Sequence, residues 1–215
     1  MDAIEQPARR SAPVRKVTDG DLSVVVRTLT RAFLDDPVMS FIFPDPRRRP
    51  AILEAFFDVS ARRVYLGKGE SYLCEDGAAA ALWAPPGKWK VSTLEIVRNG
   101  PRLARVMGRR LVLGLRAMNM VERKHPHDPP HYYLAILGTD PDRQNRGLGS
   151  ALLSDMLSRA DAQRIPAYLE ASCEDNVRLY LRHGFKVVEE VPIPGGGPPV
   201  WRMWRDVGAS ATSST

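Results

Sequence analysis

The sequence predicts an α/β fold in one domain. Three observations lead there: a length of 215 residues, apolar spacing that alternates between the helical and strand periods, and a second half in which strand and helix patterns follow one another in turn. Hydrophobic residues at 44% and charged residues at 26% belong to a globular chain and exclude collagen, coiled coil and wholesale disorder. The polar, Arg/Pro-bearing residues 1–12 and the GASATSST run at 208–215 are expected to be disordered tails, which leaves 13–207 as the folded body.

Taken in order, residues 14–17 (VRKV) suggest a short strand. Thr18 and Asp21 are spaced as a helix start, and Val25, Leu29, Ala32 and Phe33 continue that helix until Asp36-Pro37 stops it. Residues 38–50 (VMSFIFPDPRRRP) are broken by proline and are expected to be non-helical. This segment carries Met39, Phe41, Ile42 and Phe43, which either plug the core or line a pocket. A second helix is predicted over 51–66. Two strands, 71–74 and 78–84, flank Asp76-Gly77, a hairpin turn signal.

The net charge of +6 raises the question of nucleic acid, and its location answers part of it. Residues 88–124 hold ten Lys/Arg against Glu95 and Glu122, which is +8, so the remainder of the chain sums to −2. Pro101 can open a helix here. Leu103, Met107, Leu111, Leu115 and Met118 form a stripe at helical spacing, and Arg102, Arg109, Arg116 and Arg123 step along another face. A solvated face above a buried stripe accounts for this, with an anion-attracting wall as the alternative. No aromatic residue for base stacking lies between Arg98 and Lys124, which disfavours nucleic acid.

The two cysteines, Cys74 and Cys173, have no partner spacing for zinc or for a disulfide framework. His125, His127 and His131 sit in a proline-rich stretch whose only nearby acid is Asp128, so no metal site is expected. No apolar run has the roughly 18 residues a membrane helix needs. A cytoplasmic protein without membrane contact is therefore expected.

In the second half, 132–139 (YYLAILGT) reads as a strand, 147–163 as a helix, 167–172 as a strand and 176–183 as a short helix stopped by Gly184. Residues 185–191 and 200–205 read as two last strands. Between the first strand and helix lies DPDRQNRGLG. Its glycines let the backbone bend, and a helix start offers free N–H groups to phosphate. No GK[ST] follows, and Leu152 occupies the position of a third glycine, so neither a P-loop nor a dinucleotide fingerprint is present.

The order strand, Gln144-x-x-Gly147-x-Gly149, helix, strand, Asn176-x-x-Leu179-Tyr180-x-x-x-Gly184-Phe185, strand resembles the GNAT superfamily of acetyl-CoA-dependent N-acetyltransferases. Within it, the DDP after the first helix, YYLAILGTDPDRQNRGLGSALL, PAYLEAS and LYLRHGF are similar to the puromycin N-acetyltransferases and their relatives; residues 88–130 match least. The resemblance implies a single domain with a mixed, mostly antiparallel central sheet flanked by helices. It implies acetyl-CoA as co-substrate. The backbone of Leu137, Gly138 and Thr139 would pair with the pantetheine arm. Arg143, Gln144, Asn145, Arg146, Gly147, Leu148 and Gly149 would form the pyrophosphate loop, and Asn176 and Tyr180 would lie along the cofactor, with the Tyr180 hydroxyl near its sulfur.

Acyl transfer to an amine needs a base for the ammonium proton, a donor that polarises the thioester and an acid for the leaving thiolate. Tyr180 fits the last role. Many relatives carry a Glu on the fourth strand, and 131–139 contains none. Glu170 is the nearest candidate, because strand alternation puts Tyr168, Glu170 and Ser172 on one face. A water relay through His131 and Tyr133 is the other route to a base. Phe41, Phe43, Tyr133 and Glu170 are the expected acceptor-binding residues.

The expected activity is N-acetylation of a small-molecule primary amine, such as an aminonucleoside or other amine antibiotic, which would make the enzyme one of antibiotic resistance. A protein or peptide acetyltransferase is the alternative within this chemistry. A basic, non-catalytic module binding nucleic acid or a protein partner is the alternative from another class. Neither the acceptor nor the oligomeric state follows from the sequence.

Overall fold

The structure is a computed structural model and describes residues 13–90 and 93–209, the side chains of 93–99 excepted. The predicted tail 1–12 and residues 210–215 of the second tail lie outside the described residues. Gly208 and Ala209 are held in place: the Gly208 amide donates to Asp161 Oδ1 at 2.8 Å and the Ala209 carbonyl accepts from Arg205 at 2.7 Å.

The chain begins with β1 (Val14–Lys16), α1 (Leu22–Ala32), α2 (Pro37–Ile42) and α3 (Arg49–Val59). It goes on through β2 (Ser71–Cys74), β3 (Ala79–Ala84), α4 (Thr93–Met107) and α5 (Leu111–Lys124). It ends with β4 (Tyr132–Thr139), α6 (Leu148–Ala162), β5 (Ala167–Ala171), α7 (Glu174–Leu181), β6 (Lys186–Pro192) and β7 (Pro199–Arg205). The seven strands form one sheet in the order β1-β2-β3-β4-β5-β7-β6. Only β4 and β5 run parallel; every other pairing is antiparallel.

Strand alternation gives the sheet two apolar faces. One, with Leu73, Ala80 and Leu82, packs under α1 and α3 on Val25, Leu29, Leu53 and Phe57. The other, with Trp83, Leu134, Leu169 and Met203, packs on Leu152, Leu153 and Met156 of α6. Leu29 is fully buried, and its truncation to Ala would cost about 2–5 kcal/mol. At the β2–β3 turn Gly77 has φ +98°, and a Cβ there would sit 2.1 Å from Val24 Cγ1. The turn is pressed onto α1, whose Thr28 hydroxyl donates to the Gly77 carbonyl at 2.5 Å. Arg205 clamps the far end of the sheet, with a two-pronged pair to Asp161 of α6 at 2.7 and 2.8 Å.

Three expectations are corrected. Segment 38–50 is not wholly non-helical. Asp36 caps α2 by accepting from the Met39 amide at 2.9 Å, Pro37 occupies the first turn, and Pro50 stands in the first turn of α3. Proline is harmless at those positions, because the N–H it lacks would have no helical partner. The basic stretch is two helices, α4 and α5, parted at Gly108 (φ +54°), and Pro101 lies inside α4. The stripe also fails at its end: Leu115 and Met118 are 48% and 47% exposed, while Gly114 and Ala117 are buried. The break at Gly108 resets the helical phase, so a register carried from α4 does not describe α5. The last short helix starts at Glu174, with Cys173 as its cap.

Candidate functional site

The sheet opens where β4 and β5 diverge. Their pairing runs only from Tyr132↔Ala167 to Leu134↔Leu169, while β4 continues to Thr139. A bulge starts the divergence: Leu82 of β3 faces Ile136 and Trp83 faces Leu134, so Ala135 is the extra residue. Bulges bend and twist the strand that carries them. Beyond it Leu137, Gly138 and Thr139 are paired with β3 on one side, and among the described residues no strand pairs with their other side. Gly138 is required by packing, since a Cβ there would lie 2.9 Å from both Ala32 Cβ and Leu29 Cδ2 of α1.

The loop that follows leads into α6. Asp140 accepts from the Asp142 amide at 3.0 Å and from Arg31 at 2.8 Å, which fixes the turn over Pro141–Arg143. Gln144 donates to the Thr139 carbonyl at 3.4 Å. Asn145 and Gly147 have φ of +60° and +81°. A Cβ at Gly147 would meet nothing within 4 Å, so glycine serves the left-handed backbone there. Among the described residues no side chain caps the start of α6 at Leu148 and Gly149, and the first amides of a helix have no intrahelical partner, which is what anion binding at a helix start uses. Arg143 and Arg146 flank this loop and turn toward Glu75, at 3.8 and 3.4 Å.

On α7, Asn176 and Tyr180 are one turn apart. Tyr180 is 5% exposed and lies edge-on to Phe185 at 5.9 Å. Burial, then the nearby Cys173 and Asp36, raises its pKa, so the hydroxyl keeps its proton through any working pH. Asp36, read in the sequence only as a helix stop, belongs to this site. It accepts from the Ser172 hydroxyl at the end of β5, and burial raises its pKa. The signal was an Asp before Pro, which marks an N-cap as readily as a stop.

Glu170 is on the face that alternation predicts, with Tyr168 and Ser172. Its side chain is 10% exposed, and Oε1 has no hydrogen-bond partner among the described residues. Burial pushes its pKa up to about 7, partly offset by the Tyr168 and Tyr133 hydroxyls and by Arg202. Arg202 of β7 donates to the Tyr168 hydroxyl at 3.0 Å and pairs with Glu189. Tyr133, Tyr168 and His125 gather at this carboxylate, the His125 ring lying edge to face with the two tyrosines at 4.7 and 4.9 Å. His131 is buried behind His125, with Nδ1 2.8 Å from the Pro129 carbonyl and Nε2 3.0 Å from His125 Nε2.

Of the two phenylalanines expected at the acceptor, Phe43 is a core residue, 3% exposed. Phe41 is half-buried and covers the loop between β6 and β7, where a Cβ on Gly197 would lie 2.7 Å from its ring. Among the described residues no group of three or more His, Cys, Asp or Glu gathers as a metal site, and no helix is long and apolar enough to cross a membrane. Two open grooves run beside α5, lined by Arg109, Arg116 and Arg123 among others; neither includes Glu170 or Tyr180.

Comparison with known proteins gives consistent results. The family model for the acetyltransferase (GNAT) family matches residues 96–185. A curated relative, mycothiol acetyltransferase of Clavibacter sepedonicus, is 43% identical over 54 residues, which is 24% of this chain and 18% of that protein. The chain thus matches less than a fifth of that relative's length. Among solved structures, the histone acetyltransferase HPA2 and related acetyltransferase from Corynebacterium glutamicum superposes with a TM-score of 0.71 at 28% identity, covering 92% of this chain and 97% of that one. Arylalkylamine N-acetyltransferase 2 from Aedes aegypti superposes with a TM-score of 0.58 at 13% identity, covering 92% and 100%. The polyamine N-acetyltransferase of Drosophila melanogaster gives 0.60 at 15% identity, covering 90% and 99%.

Proposed function

We propose that this chain, a member of the GNAT acetyltransferase family, transfers acetyl from acetyl-CoA directly to the primary amine of a small molecule. The observation that carries this reading is Glu170, a buried carboxylate with an unpartnered oxygen on the strand across the gap from Leu137, Gly138 and Thr139. The gap and the α6 start suit the co-substrate. The β4 edge offers backbone groups to an amide-bearing arm, and the uncapped helix start with Gly147 offers amides to phosphate oxygens. Acetyl-CoA supplies the thioester; the chain binds it, holds the acceptor and moves protons.

Each step has a residue. An amine arrives as ammonium and has no lone pair to attack with until its proton leaves. Glu170, with a pKa near 7, is matched to accept that proton at neutral pH. The backbone N–H at Leu137 polarises the thioester oxygen as the amine adds, and Tyr180 gives its hydroxyl proton to the departing sulfur. The carboxylate with Tyr133 and Tyr168 around it makes an aromatic site that favours a cationic amine. Phe41 would cover the acceptor; Phe43, in the core, would hold Phe41's segment in place. The sequence resemblance to the puromycin N-acetyltransferases points to an amine next to an aromatic or nucleoside-like body, and so to inactivation of an amine antibiotic in the cytoplasm.

The protein-acetylating reading is kept because of the Corynebacterium structure, whose description includes a histone acetyltransferase. The deciding assay is thiol release from acetyl-CoA across puromycin, aminoglycosides, arylalkylamines, polyamines and a lysine peptide, for wild type and Glu170→Gln. Turnover of an aromatic amine that Glu170→Gln loses supports the proposal. Turnover of the lysine peptide alone moves the protein to the second reading.

A further inference from the structure

The geometry points to His125 and His131 as a positioning pair that holds a bare imidazole nitrogen against Glu170 and so sets the basicity of that carboxylate. This rests on Glu170 as the base, and it goes further by assigning what tunes it.

His131 Nδ1 is 2.8 Å from the Pro129 carbonyl oxygen. A carbonyl only accepts, so His131 Nδ1 carries a hydrogen. Both rings are buried, 3% exposed each, and burial disfavours the imidazolium, moving both pKa values down, that of His125 to about 3. A neutral His131 with its hydrogen on Nδ1 has a bare Nε2. That atom lies 3.0 Å from His125 Nε2, so His125 must carry its hydrogen on Nε2. His125 Nδ1 is then the bare nitrogen, and it faces Glu170 Oε1 at 3.9 Å, the oxygen that has no other partner. The His125 ring cannot drift, because Trp89 stacks on it at 3.8 Å and 21°.

A lone pair facing a carboxylate oxygen disfavours the ionised acid and accepts from the protonated one, and both effects favour the proton-loaded state. The 3.9 Å gap is longer than a hydrogen bond; such contacts tighten when the acid becomes a donor. After Glu170 takes the ammonium proton, its new O–H has an acceptor in His125 Nδ1. The other groups facing Glu170 are the Tyr168 hydroxyl on its own strand, the Tyr133 hydroxyl on β4 and the Arg202 guanidinium on β7, itself paired with Glu189. The hydroxyls and the guanidinium favour the carboxylate, so His125 opposes them.

The test uses two substitutions at His131. In His131→Gln the amide oxygen reaches the place of Nε2 and still accepts from His125. In His131→Phe the acceptor is gone, and His125 is free to adopt the Nδ1–H tautomer and donate to Glu170. The acid limb of kcat/KM for the amine should stay near the wild-type position in His131→Gln. In His131→Phe it should move to lower pH by about one unit or more. A raised or unchanged limb in His131→Phe would overturn the proposal. Two readouts do not depend on turnover. Nitrogen-15 NMR of the wild type should show His125 as the Nε2–H tautomer, and the Nδ1–H form would overturn the pair's role even if His131→Phe does not fold. Difference infrared against Glu170→Gln should show the carboxyl titrating near neutrality in wild type and His131→Gln. If Glu170→Gln is fully active while the tautomers are as described, the base assignment falls and the tuning of the carboxylate stands.

Discussion

Ser172 at the end of β5 donates its hydroxyl to Asp36, the cap of α2. The bond spans 136 residues of sequence and ties α2 to the strand that bears Glu170.

Replacing Asp36 separates its roles. Asp36→Ala removes an N-cap and leaves Ser172 without its acceptor, and should cost about 1–2 kcal/mol, a fall of roughly 2–8 °C in Tm at this chain length. Asp36→Asn keeps an accepting Oδ1 for the Met39 amide, sets an amide donor opposite the Ser172 hydroxyl, which can accept in turn, and removes a charge that burial disfavours, so its Tm at neutral pH should equal or exceed that of wild type. Thermal unfolding of the three proteins side by side checks the order.

Glu170→Gln makes a stability prediction independent of the assay. Burial raises the folded pKa from 4.5 to about 7, so the folded protein holds this proton more tightly than the unfolded chain does. Stability from this group is therefore highest below about pH 4.5 and falls as pH rises through 7, by about 3 kcal/mol in all. Buried neutral His125, with its lowered pKa, acts in the opposite direction, losing stability as pH falls below 6.5; a difference between proteins is therefore needed. Urea unfolding at pH 5 and pH 8 should show Glu170→Gln gaining on wild type at the higher pH. Equal differences at both would remove the buried-charge account.

Strand alternation was enough to put Tyr168, Glu170 and Ser172 on one face, because period two is a local property of backbone geometry. The loop from Asp140 to Gly149 was likewise legible, since its left-handed positions at Asn145 and Gly147 fall in a polar, glycine-bearing run. What stayed hidden depends on residues far apart. Nothing near His125 in sequence shows that its ring meets His131 across a proline-rich turn and Glu170 on another strand. Asp36 read as the end of α1, and its contact with Ser172 exists only once β5 is in the sheet. Phe43 had the same composition cue as Phe41, yet Phe43, just past the end of α2, is core while Phe41, within the helix, is half-buried against the β6–β7 loop.

Gly147→Ala should separate conformation from space. A Cβ at Gly147 meets nothing within 4 Å, but φ is +81°, so the substitution costs about 1–2 kcal/mol of backbone strain. The loop can relieve this by turning its amides away from the phosphate position. Calorimetry should show acetyl-CoA affinity reduced about tenfold or more in a protein that remains folded, with strain of this size as the reason. Unchanged affinity would move the phosphate site off this loop.

Cys173 is placed beside Tyr180 and Asp36, where a nucleophilic thiol would invite an acetyl-cysteine route. Its pKa is raised, first by burial, and Asp36 adds to the shift, so the thiolate that such a route requires is disfavoured. Cys74 is buried with its pKa raised in the same way. The double Cys74→Ser, Cys173→Ser enzyme should retain activity with sequential kinetics. A trapped acetyl-cysteine with ping-pong kinetics would establish the covalent route instead.

Tyr180→Phe tests the acid. The ring is buried against Phe185, and phenylalanine keeps that packing, so the variant should fold and bind acetyl-CoA with little change. What it loses is the hydroxyl proton, which burial keeps on the oxygen well past the usual tyrosine range. If that proton goes to the departing thiolate, kcat should fall about 10²-fold or more, the usual worth of general acid catalysis, while KM for acetyl-CoA stays near its wild-type value. The loss should shrink with acyl donors whose thiols are more acidic, because a better leaving group needs less protonation. A loss that is the same for every thiol would mean that Tyr180 positions the co-substrate without giving it a proton, and a wild-type kcat, where chemistry limits the rate, would take it out of the reaction.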